Sequence, residues 1–63
     1  MPPKTAQLIS AIRLLKEARG LVADAKQVLG AMGNRDAAMR LKNIGEEILN
    51  ELEYLHRLLA KEQ

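Results

Sequence analysis

Few side chains in this sequence can carry chemistry. His56 is the only histidine, Ser10 the only serine, and there is no cysteine. A histidine can serve as a general base, but a nucleophilic site also needs a hydroxyl or thiol within hydrogen-bond reach and a group to orient the ring. His56 has no such company, so its expected role is at the boundary of a packed core. Glu46, Glu47, Glu51 and Glu53 form the densest acidic cluster. Glu47 and Glu51 stand one helical turn apart, as in half of a magnesium site built from paired glutamates on facing helices. The first half of the chain could answer them only with Glu17 and Asp24, on its outer side. A solvated acidic face is therefore expected. Gly30 to Gly33 closes a helix instead of opening one after a strand, so no phosphate-cradling loop is present. The reading is a non-enzyme without catalytic residues, metal or cofactor.

The basic residues make a more organised pattern. Arg19, Lys26 and Lys42 fall along one edge of the expected helices, His56 extends the line, and Arg13 and Lys16 project nearby. Such a row can track a phosphate backbone, the electrostatic part of nucleic-acid binding. It has no aromatic neighbours on which unpaired bases could stack. Two helices also lack the third that a helix-turn-helix reader requires. Arg13, Lys16, Arg19, Lys26, Lys42 and the outward Tyr54 are the candidate contact residues, for a protein partner or, as the rival reading, for RNA or DNA.

The elements that position these residues follow from apolar spacing. Leu8, Leu15, Val22 and Leu29 recur every seven residues, interleaved with Ala11, Ala18, Ala25 and Met32. Ala38, Gly45, Leu52 and Leu59 recur likewise, interleaved with Leu41, Ile48 and Leu55. This alternation of three and four is a helical seam. It predicts helices over about 5–32 and 36–61, joined by a turn at 33–35, within one domain spanning 1–63. Gly33 can adopt the left-handed conformation that ends a helix. Asn34 can cap the next one, and Asp36 suits its first turn. Pro2 and Pro3 suit the lead into the first helix, with Thr5 as its expected cap. So short a connection makes the helices antiparallel neighbours.

The fold class predicted is therefore all-α, an antiparallel helical hairpin, and the hairpin should not stand alone. Beside the seam, one edge carries Leu14, Leu21, Val28, Ile44 and Leu58, interrupted by Glu51. A lone hairpin would leave that stripe in water. A 63-residue chain hides only about 60% of the surface its unfolded form exposes, and with no cysteine it lacks disulfides to compensate. The expected answer is a homodimer: two hairpins closing a four-helix bundle through Leu14, Leu21, Val28, Ile44, Glu51 and Leu58, with Glu51 at the rim or paired with a partner cation. The expected core uses Leu8, Ile12, Leu15, Leu52, Leu55 and Leu59 at the open end, whereas the alanines near the turn and Gly45, opposite Val22, suggest a close helix approach there.

Charge and targeting add little. Ten basic and eight acidic residues give +2, distributed as +3 over residues 1–33 and −1 over 34–63. No apolar run reaches the roughly 20 residues of a membrane span. The segment Met1-Pro2-Pro3-Lys4 lacks the apolar core of a secretory signal, so a cytoplasmic location is the default expectation.

In helix count and heptad layout, carried by the Leu8–Leu29 and Leu41–Leu59 series, the whole chain resembles the Rop family of plasmid regulators. That resemblance implies a hairpin that dimerises into a four-helix bundle and binds paired RNA loops. The family's RNA face includes a phenylalanine on the first helix, and this sequence has none. The function expected from the residues is a small homodimeric interaction or regulatory protein.

Overall fold

The computed structural model describes residues 3–62, which form two helices packed against each other: α1 (Pro3–Ala31) and α2 (Arg35–Glu62). The expected lead-in at Pro2 lies outside the described residues. The hairpin measures 47 × 14 × 10 Å between Cα extremes, a single layer two helices wide.

The turn is built from backbone hydrogen bonds that the sequence anticipates. Gly33 takes φ = 81° and is the only described residue with positive φ. A β-carbon there would be strained, which is why glycine occupies the site. With the chain reversed at Gly33, the Asn34 N–H donates to the Leu29 carbonyl at 2.9 Å and the Gly33 N–H to the Gly30 carbonyl at 3.0 Å. This pair is the Schellman closure, which satisfies carbonyls that the end of α1 leaves free. Asn34 then caps α2: its Oδ1 accepts from the Ala37 N–H at 3.2 Å, and its carbonyl accepts from the Ala38 N–H at 3.1 Å. Asp36 lies in the first turn of α2, where its charge complements the helix dipole.

The beginning of α1 differs from expectation. Because the helix already runs from Pro3, Thr5 is inside it and does not cap it. Its side chain is buried in the seam, and its Oγ1 finds no hydrogen-bond partner among the described residues. A buried orphan hydroxyl costs about 1–3 kcal/mol.

The seam also rotates relative to the heptad expectation. On α1 the buried or half-buried positions include Leu8, Ile12, Leu15, Val22 and Leu29 as expected, together with Thr5. Ala11 and Ala18 are half-buried, whereas Ala25, Ala31 and Met32 are exposed. The reason is volume. Turning α1 toward the Thr5–Ile12 line buries an isoleucine where the other orientation would bury only Ala11, and each further CH₂ removed from water is worth about 0.8 kcal/mol. On α2, the series Ala38, Leu41, Gly45, Ile48, Leu55 and Leu59 is half-buried and Leu52 is buried.

The resulting core is slight. Ile12 (6% exposed) and Leu52 (5%) are the only buried hydrophobic side chains among the described residues. Gly45 does not mark a close approach: a β-carbon built on it would meet nothing within 4 Å. The space beside it is open and belongs to a groove that Gly45 helps to line.

Candidate functional site

Charged residues continue one line of the buried positions of α1. Seven-residue steps along the line of Thr5 and Ile12 lead to Arg19 and Lys26. A charged head cannot be sealed between helices without a partner, and both side chains are exposed. They line a groove of about 660 Å³ along one face of the hairpin. Its apolar lining consists of half-buried Val22 and Leu41, buried Leu52, and the more exposed Ala23 and Leu49. Gly20 and Gly45 lie on its two sides, and neither has a neighbour that an added methyl would touch.

The rims are charged. Lys16, Arg19 and Lys26 stand on the α1 side; Lys42, Glu46, Glu53 and His56 stand on the α2 side. The groove therefore gathers four of the expected contact cations, together with His56. It does not include Arg13 or Tyr54, both exposed elsewhere. His56 is exposed on the groove rim, not packed at a core boundary, because the open seam leaves nothing to cover it.

The opposite face is the apolar edge. Leu14, Leu21, Val28 and Ile44 are all exposed, Leu21 most of all at 70%. Leu58 departs from the expected stripe: it is half-buried. Glu51 is exposed and lines a shallower hollow of about 410 Å³ with Leu15, Ile44, Glu47, Ile48 and Asn50. Among the described residues, no three histidine, cysteine, aspartate or glutamate side chains are grouped as a metal site would require. No described helix is long and apolar enough to cross a membrane.

Sequence reasoning identified the cations of the groove but missed its floor and its acidic members. The signal was present in the spacing. Lys42, Leu49 and His56 form one seven-residue series with a leucine at its centre, and Glu46 and Glu53 each directly follow a seam residue, Gly45 and Leu52.

Fold and site together define a class, an all-α helical hairpin with one apolar face and one cationic groove. Compared with family models, curated proteins and solved structures, the chain finds no match. Its likeness to the Rop family rests on helix count and heptad layout alone.

Proposed function

We propose that this chain is a non-enzymatic interaction protein that works as a homodimer, two hairpins joined through their apolar faces into a four-helix bundle. The observation that carries this reading is the imbalance between what the hairpin buries and what it leaves in water: two buried hydrophobic side chains against an exposed row of Leu14, Leu21, Val28 and Ile44.

Size relations support it. The accessible surface is 4932 Å². A folded monomer of 7.0 kDa is expected to expose only about 4,000 Å². The excess, about 900 Å², is close to the roughly 800 Å² that each partner contributes to a standard interface. The radius of gyration, 14.6 Å, exceeds the value of about 11 Å expected for a chain of this length. It suits a globule of twice the length, for which about 14 Å is expected. A second layer laid on the apolar face thickens the particle without lengthening it.

The test is sedimentation equilibrium. A mass near twice 7.0 kDa is expected, and Leu21→Glu or Ile44→Glu should abolish the dimer by placing a charge in the apolar interface. A folded wild-type monomer at high micromolar concentration sinks the proposal.

One observation supports a second reading, nucleic-acid binding: Lys16, Arg19, Lys26 and Lys42 share a groove. Binding of that kind weakens steeply with added salt. Glu46 and Glu53 on the same rim count against it. Absence of binding to mixed RNA and DNA at low salt excludes it.

A further inference from the structure

The geometry points to a specific occupant for the groove: an amphipathic helix of a partner protein, apolar on the side it buries and acidic where it meets Lys26, Lys42 and the α1 rim. This inference rests on the reading of the chain as an interaction protein and adds the chemistry of the partner.

Length comes first. The groove spans residues 16–26 of α1 and 41–56 of α2. At 1.5 Å per residue, that is roughly 15–22 Å, the length of a helix of about 10–15 residues. The concavity is open along its whole run between two helices, a shape that a third helix fills by packing its side chains between theirs.

The glycines supply a second, independent observation. A glycine inside a helix costs about 1 kcal/mol relative to alanine. Gly20 and Gly45 lie inside α1 and α2, on opposite sides of this groove, and neither lacks room for a methyl. They do nothing for the packing of the hairpin. What they do is lower both walls at mid-groove, where an inserted leucine-sized side chain would reach Val22 and Leu49 on the floor.

Charge fixes the polarity of the occupant. Lys26 and Lys42 each lie eight residues from Asn34, so they face each other across the end of the groove nearest the turn. Lys16 and Arg19 continue the positive side along α1, while Glu46 and Glu53 stand opposite on α2. The complementary ligand carries carboxylates toward the turn and along the α1 side, and none against the glutamates. A phosphate chain meets these requirements poorly. It cannot avoid Glu46 and Glu53, gains nothing from an aliphatic floor, and finds no aromatic ring for its bases.

The test uses a fluorescein-labelled synthetic helix of about 14 residues, with leucines in a seam, glutamates along one flank and glutamines along the other. Two controls accompany it: the same peptide with lysine for glutamate, and a scramble of the same composition. Anisotropy titrations against the full chain should show micromolar affinity for the acidic helix and at least about tenfold weaker binding of both controls. The double change Lys26→Glu, Lys42→Glu should weaken the acidic peptide by about tenfold or more, and Glu46→Lys should tighten it several-fold. Gly45→Leu raises one wall into the groove and favours helix, so it should weaken binding by about tenfold while circular dichroism stays the same or rises. Equal binding of the lysine peptide or the scramble overturns the proposal. So does an unaltered affinity in Gly45→Leu, or a short RNA hairpin or DNA duplex that displaces the acidic peptide. Sedimentation of the same samples separates the two readings. A dimer that ignores the peptide refutes only the groove assignment, and a monomer that binds it refutes only the dimer.

Discussion

Truncating Leu21 gives opposite results depending on whether the apolar face is buried, which makes Leu21→Ala the sharpest test of assembly. In a single hairpin Leu21 is 70% exposed. Burying a leucine side chain completely is worth about 1.5–3 kcal/mol, so covering the exposed portion is worth about 1–2 kcal/mol per protomer. A two-fold interface contains the residue twice, and alanine retains only the Cβ. The dimer should lose about 2–3 kcal/mol, which raises its dissociation constant by roughly 30- to 150-fold. Were the hairpin to function alone, the same change at an exposed helical site would alter stability by no more than about 0.5 kcal/mol, and alanine's better helix propensity would favour the variant. Met39 is the matched control. It is 56% exposed, close to the 57% of Leu14, but it stands seven residues before Glu46, on the groove side. Met39→Ala should leave the mass unchanged. Sedimentation equilibrium across a micromolar concentration series reads the association directly, and thermal melts at several concentrations read its linkage to folding. The reasoning fails if Leu21→Ala and Met39→Ala shift the association equally, or if neither melt depends on concentration.

Other consequences follow from single features. Gly20→Ala and Gly45→Ala should each stabilise the fold by about 0.5–1 kcal/mol, because both sites have room for a methyl; lower melting temperatures would show that the space is not free. Asn34→Ala removes the Oδ1 acceptor of the Ala37 N–H and should cost about 1 kcal/mol, a fall of roughly 4–8 °C in Tm; an unchanged melt would mean that water caps α2 as well. Thr5→Val, nearly identical in shape, removes the buried hydroxyl and should raise the denaturant midpoint by an amount equivalent to about 1 kcal/mol, whereas a loss would reveal a partner for Oγ1. Arg19→Leu extends the Thr5–Ile12 line with an apolar residue, should stabilise the hairpin by about 1–2 kcal/mol and should abolish acidic-helix binding; unaltered stability would mean that backbone geometry, not the charge, holds the groove open.

The sequence made the two helices legible because their apolar repeats are long and the punctuation between them is concentrated at Gly33 and Asn34, where local backbone chemistry dictates the outcome. The apolar edge was legible too, since Leu14, Leu21 and Val28 recur at the same seven-residue step as the seam. The rotation of α1 was not. Ile12 was legible as part of the core, but the burial of Thr5 and the exposure of Ala25 were not, because heptad positions order residues around a helix without weighing how much surface each side chain removes from water. The groove was hidden for the same reason. Its cations were visible as a row, but the row becomes the rim of a concavity only when Arg19 and Lys26 fall in register with buried Thr5 and Ile12. Gly45 was misread because a small residue on a seam normally signals close packing. Here the space beside it is open, and the glycine lines a groove instead.

These features make the two faces complementary in use. An apolar face bearing four exposed aliphatic side chains is best satisfied by a copy of itself, since a two-fold pairing matches apolar surface to apolar surface, with Glu47 and Glu51 beside Ile44 as the charges to accommodate. The cationic face cannot serve that purpose. Apposed to itself, it would bring Lys26 and Lys42 of two copies together around an unfilled floor, at a desolvation cost that no added contact offsets. A bundle closed through the apolar faces leaves both grooves on the outside, on opposite sides of the particle. Each dimer then offers two equivalent sites for an acidic helix. Two such helices on one partner, if their linker spans the bundle, would bind far more tightly than either alone.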